Sequence, residues 1–414
     1  MKLSRGGFSY QLPGYESGQF NLPAGSHIWS ISPDEPDTEG ALQADLRFAP
    51  TGLYQAQITS GLMLFNGQEF TGSTRSDELD VLHVNTINSP FGAGWGLNGL
   101  QELVENPDGS IMLIDGDGEE NLFKPPTNVG QPYVSPPGNF STLTRQPDQT
   151  FRRVTTDKMV FAFTLQNKLA SATDRNGNAT KFTYDALGRL IKITDPVGLE
   201  TNFMIGSNGK VSQITDPANR VTKIEYDAEG DLTRVIDPDN TARTWQYDAE
   251  HRMTGEIDKR GNQEHTVYDF AGRVKTAILN DGTERQFQPL QLRNLLPPNA
   301  TINPLSPPVA HAAGTATARV ADENGNVTAH VMDRQGQFVS STDGAGQLPS
   351  VKRNSQNQVI RSTDGRGRIT LYDYDARGNV VSMRDENSGG NEILGGISAP
   401  GEKDVYTFVG TVGQ

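Results

Sequence analysis

A tyrosine–aspartate pair returns along this chain every 21 residues, and that spacing restricts the folds open to it. Tyr184-Asp185, Tyr226-Asp227, Tyr247-Asp248, Tyr268-Asp269 and Tyr374-Asp375 open the strings YDALGRL, YDAEGDL, YDAEHRM, YDFAGRV and YDARGNV. Degenerate copies hold the same places between and around them: Phe163 in FAFTLQNKL, Ile205 in FMIGSNGKV, Met332 in HVMDRQGQF and Arg353 in VKRNSQNQV. A second track keeps the same period. Asp174, Asp195, Asp216, Asp237 and Asp258 form one run, and Asp322, Asp343, Asp364 and Asp385 another; each opens a turn-like string such as DRNGN or DPDNT. Two markers at one period define a repeated supersecondary unit.

One unit reads as strand, turn, strand, turn. In TKFTYD, Phe182 and Tyr184 lie two apart and so share one face of a strand. ALGR is a turn in which Gly188 can take a positive φ, LIKITD is the return strand, and PVGLE is a second turn. The large residue two before each tyrosine position recurs as Phe161, Phe182, Phe203, Ile224, Trp245 and Tyr372. Six residues after the tyrosine position come Leu190, Val211, Leu232, Met253 and Val274. One face is therefore apolar and the other carries Lys, Glu, Thr and Arg. A single unit cannot bury that face alone, so neighbours must pair. The tyrosine hydroxyl and the aspartate are expected to serve turn and ladder hydrogen bonding.

Composition agrees. The 44 glycines and 24 prolines supply tight turns. No apolar run is long enough for a membrane helix, and mean hydropathy is −0.54. A net charge of −14 repels phosphate backbones and argues against nucleic acid as a partner. The absence of cysteine excludes disulfides, thiolate zinc sites and thiol nucleophiles. The N-terminal MKLSRGGFSYQLPGY has a basic start but no apolar core, so it does not read as a signal peptide.

At this point the chain resembles the YD repeats of the Rhs, teneurin and insecticidal toxin-complex proteins, over roughly residues 155–390. The resemblance implies an all-β fold: an antiparallel meander of 21-residue repeats forming a curved or spiralling open β-shell, preceded by an N-terminal β-region. It also implies two kinds of role, enclosure of a toxin segment or adhesion at a cell surface. Five segments follow. Residues 1–150 form the N-terminal region, in which IMLI and NLF (within 111–123) read as a hairpin and the Gly-rich 88–103 as a bend with Trp95 in the core. Residues 151–285 are the first repeat block, 286–318 a Pro-rich insert, and 319–390 the second block. Residues 391–414 resemble the opening of a pre-peptidase C-terminal β-sandwich module. Tyr268 to Met332 is 64 residues, one more than three units, so the register fails across the insert.

Catalytic chemistry finds little footing. His27, His83, His251, His265, His311 and His330 are scattered. Asp115, Asp117, Glu119 and Glu120 suggest calcium, but the EF-hand's twelfth position holds Pro126. GAGWG lacks the strand and helix that a dinucleotide loop needs. DPVGLE at Asp195 superficially resembles the self-cleaving region of Rhs-type proteins, yet it lies on the ordinary repeat track, so neither autoproteolysis nor a toxin is carried over. No catalytic, cofactor-binding or metal-ligating residue is assigned, and no cofactor is expected. The expected function is a non-enzymatic extracellular or cell-surface scaffold of bacterial type. It would bind glycans, partner proteins or its own copies through edge strands, without membrane insertion. The alternatives are an Rhs-type shell segment that encloses a toxin or other cargo and, further off, a carbohydrate-active enzyme.

Overall fold

The computed structural model describes residues 1–12, 14–15, 20–31, 40–128, 130–289, 295–297, 303–308, 316–333, 337–344, 346, 349–375, 378–386 and 392–394. Every regular element among them is a β-strand. The chain divides into two compact units. The first comprises residues 1–28, 42–265 and 298–307, and the second residues 29–41, 266–297 and 308–414.

In the first unit, the repeats form the expected antiparallel meander. Each strand pairs with its neighbours in sequence from Thr142–Arg145 onward, and Met253–Ile257 pairs with the start of Gln263–Tyr268. Taken by itself this sheet is open, since Gln263–Tyr268 is not a neighbour of Thr142–Arg145. The alternation read from the sequence holds: in Glu200–Ile205, Phe203 is buried while Asn202 and Met204 face solvent. The sheet already includes Thr142–Arg145 and Phe151–Val154, whose sequences carry neither marker.

Two smaller sheets accompany it. Glu102–Glu105, Ile111–Ile114 and Glu120–Phe123 form a three-stranded meander that contains the expected hairpin. Leu103, Ile111, Leu113 and Phe123 pack with Leu143, Phe151, Phe163 and Leu169 of the repeat sheet into one core. A four-stranded sheet joins Lys2–Arg5 and Phe8–Gln11 to a long hairpin, Gly52–Phe65 with Phe70–His83, over a core of Leu3, Ala49, Tyr54 and Ala56.

In the second unit the meander runs from Val274–Ile278 to Glu392–Leu394. Here the register failure acquires a physical cause. Glu284–Gln288 pairs directly with Ala316–Ala321, so residues 289–315 stand in place of a single turn. Tyr268 and Met332 are thus two units apart, with a 64-residue separation where 42 would do, and not three units plus one. Described parts of the insert touch the segment near residue 30: Leu295 bridges Ala41, and Ser30 N donates to Pro308 O at 2.9 Å. The expected C-terminal module lies outside the described residues but for the short strand Glu392–Leu394.

Candidate docking seam on the apolar face

The aspartate of each turn acts as a local cap. Asp185 N donates to Arg189 O and Gly188 N to Asp185 O, closing a short loop. Asp185 Oδ1 accepts the N–H groups of Leu187 and Arg189, and Oδ2 accepts Arg189 Nε at 2.7 Å. Asp174 does the same on the other track, with Asn178 in the place of Arg189. These hydrogen bonds hold the Asp185 and Asp174 carboxyls below their usual range. The fourth position of the loop is left-handed whatever occupies it: φ is 75° at Gly188, 61° at Asn219, 65° at Asn240 and 62° at His251.

The tyrosine has a different task. At Tyr184 the strand register slips by one residue: Thr183 opposes Lys192, but Tyr184 opposes Leu190. The same bulge recurs at Ile205, Tyr226, Tyr247 and Tyr374. A bulge takes backbone groups out of the ladder, and they need other partners. The tyrosine of a following unit provides one. Tyr184, Tyr226, Tyr247 and Tyr374 hydroxyls donate to the carbonyls of Leu169, Val211, Leu232 and Val359, each 15 residues earlier, at 2.7–2.8 Å. Burial pushes the Tyr184 and Tyr226 phenols well up and that of Tyr247 to about 12.

The N–H groups at the same bulges face the Gly-rich segment 88–103. Leu169 N donates to Gln101 O and Val211 N to Pro90 O, while Leu103 N and Ala93 N donate to Asn167 O and Gly230 O. The segment is therefore a strap fixed by main-chain bonds across successive repeats. Its side chains fill the apolar face: Phe91, Trp95, Leu97 and Leu100 pack with Leu190, Phe203 and Val211. Trp95 stacks edge-on against Trp245 at 5.1 Å between centroids and donates its indole N–H to Tyr247 Oη at 2.9 Å. Glycine is required where backbones meet. A Cβ on Gly92 would lie 2.9 Å from Leu232 Cβ, and one on Gly96 2.1 Å from Gly116 O.

Polar groups complete the seam. Arg153 donates to Gln101 Oε1 at 3.2 Å, and Gln101 Nε2 to Asp115 Oδ2 at 2.9 Å. Burial holds the Arg153 guanidinium below its usual pKa. Where the loops opened by Asp185, Asp248 and Asp269 carry Arg at the fifth position, the loop opened by Asp227 carries Asp231, which is buried and accepts His251 Nδ1 at 2.8 Å. Lys210 Nζ donates to Ser89 O of the strap at 3.0 Å.

Asp115, Asp117, Glu119 and Asp195, singled out for chemistry, have structural employment. Asp115 Oδ1 accepts Gly99 N and Gly116 N, Asp117 accepts Glu119 N, and Glu119 accepts Asn121 Nδ2. Asp195 caps its own loop through Val197 and Leu199 N–H groups, as other loop aspartates do. Among the described residues no group of three His, Asp or Glu side chains is placed to hold a metal, and no helix is long and apolar enough to cross a membrane. His311 lies outside the described residues. The strap's partners were missed by sequence reasoning. Its only advance signals were the glycine density and the two aromatics.

These features define an all-β repeat wall that docks a strap of its own chain on its apolar face. The family described as RHS Repeat matches residues 165–200, 207–242, 226–263 and 353–389, so the chain carries YD/RHS repeats over these stretches. Among solved structures, that of TcdB2-TccC3-TEV is similar over 70% of this chain and 17% of its own, at 12% identity and a TM-score of 0.34. TcdB2-TccC3 without its hypervariable C-terminal region is similar over 81% of this chain and 23% of its own, at 11% identity and a TM-score of 0.29. A Photorhabdus luminescens Tc holotoxin pore gives 13% identity and a TM-score of 0.22, over 69% and 22% of the two chains. No curated protein matches the chain in sequence.

Proposed function

We propose that this chain is wall material of an Rhs-type enclosure: a non-catalytic, extracellular β-sheet whose apolar face receives polypeptide cargo. The observation that carries the reading is the strap. A turn-rich segment lies on that face, held by main-chain hydrogen bonds to Leu169, Val211 and Gly230 and by apolar side chains. Such contacts use main-chain groups and apolar bulk and suit many sequences, as an enclosing wall requires. Adhesion or glycan binding would instead use the opposite face. There Lys192–Glu200 and Arg234–Glu225 pair across strands, which gives a solvated surface whose charges are already matched.

The two readings separate by face. A photo-reactive phenylalanine analogue is placed at Ile224, on the apolar face, or at Lys223, on the polar one, in the chain produced by its native host. Enclosure predicts crosslinks from 224 to a separate polypeptide, beyond those to the chain's own strap, and none from 223. Crosslinks to surface glycoconjugates or proteins from 223 alone would remove the enclosure reading in favour of adhesion.

A further inference from the structure

The hairpin Gly52–Phe65 with Phe70–His83 stands apart from every other strand pair. Its strands are 14 residues long, against six or fewer elsewhere. The inner strand pairs on its other side with Lys2–Ser4 through Gln55–Gln57 only. The phase of the outer strand follows from the hairpin end. Asn66 N donates to Glu69 O, and Phe65 opposes Phe70. Odd-numbered residues of the outer strand therefore turn their N–H and C=O groups inward, and even-numbered residues outward. Phe70 fits that phase, donating outward to Phe20 O at 3.1 Å. From Gly72 to Asp80 the outward groups have no backbone partner among the described residues, and residues 71–80 are all exposed.

We propose that this edge pairs antiparallel with the same edge of a second copy, about a two-fold axis through Ser76. Such an edge is a template for strand addition, and the charges select the register. With the axis at Ser76, the outward-facing Gly72, Thr74 and Ser76 form hydrogen-bonded pairs with the partner's Asp80, the partner's Glu78 and the partner's Ser76. The positions between them are non-hydrogen-bonded pairs, where side chains approach most closely. Arg75 and Asp77 occupy those positions, so each meets its opposite charge across the axis, twice per dimer. Arg75 already contacts Asp77 of its own strand at 2.6 Å with its side chain 80% exposed, so both charges lie on one open face. Moving the axis to Thr74 sets Arg75 against the partner's Ser73. Moving it to Glu78 sets two glutamates face to face, which is destabilising. Only the Ser76 register pairs unlike charges and opposes no like ones.

Sedimentation velocity of the whole chain across the micromolar range tests this. The wild type should show a concentration-dependent monomer–dimer equilibrium. Arg75→Asp should weaken it at least ~10-fold, and the double variant Arg75→Asp/Asp77→Arg should restore it. Ser76→Pro removes one outward N–H and leaves the inward ladder intact, so it should be monomeric with an unchanged far-ultraviolet dichroism spectrum. A wild type that stays monomeric throughout, or an Arg75→Asp variant that dimerises as tightly as the wild type, overturns the proposal.

Discussion

At the scale of single residues, tyrosine and aspartate divide the labour of the repeat. The aspartate closes its own loop, and the tyrosine ties its unit to an earlier one by reaching a bulge carbonyl 15 residues back. Tyr226→Phe keeps the ring and removes the hydroxyl, leaving Val211 O without that donor. Denaturant unfolding should register a loss of about 1–2 kcal/mol. The phenols also set the alkaline limit. Tyr247 titrates near 12 in the fold, and its unfolded value is 10.0. Above about pH 10 the unfolded chain sheds the proton while the native chain keeps it. The tyrosines thus contribute fully below pH 10, and stability falls as pH climbs toward 12. A pH series of melting curves should show that decline, and Tyr247→Phe should make it shallower. The loop aspartates act at the opposite end. Their depressed values mean that their contribution is present above pH 4 or so and is lost as pH drops through the native value.

At the scale of elements, legibility follows locality. The strands and loops of the repeat could be read because each is determined within a few residues: a left-handed fourth position, an aspartate three before it, alternating apolar residues after it. The bulge at Tyr184 was not readable, because a one-residue slip leaves the spacing of both markers unchanged. The strap was readable only as a bend. Its anchors Trp95 and Tyr247 are 152 residues apart, and nothing periodic links them. The long hairpin shows apolar alternation only at its base, where Tyr54 and Ala56 are buried, and is exposed from Ser60 through Leu79 but for Met63 and Phe70. The strap's contribution can be isolated. Trp95→Ala removes the edge contact with Trp245 and the bond to Tyr247. It should cost about 3 kcal/mol, and hydrogen exchange should rise first over residues 88–103 and at Leu169 and Val211, whose N–H groups the strap holds.

At the scale of the whole molecule, the account rests on the 21-residue unit as the quantity the chain can gain or lose. The insert already illustrates this, since 289–315 lengthens one turn and the meander resumes in phase at Ala316–Ala321. In a repeat protein, stability is close to a sum over units and their interfaces. Removal of one whole unit should therefore leave the remainder in register. The most direct test compares two deletions in the second block. Excising residues 343–363 removes a full period and joins Thr342 to Asp364, so Tyr374 still finds a bulge carbonyl 15 residues before it in the shortened chain. Excising residues 343–353 removes half a period and exchanges the two kinds of loop downstream. The account predicts that the full-period deletion retains cooperative thermal unfolding and a β-sheet dichroism spectrum, while the half-period deletion loses cooperative unfolding of the second block. Equal tolerance of both deletions, or collapse of the full-period variant alone, would contradict it.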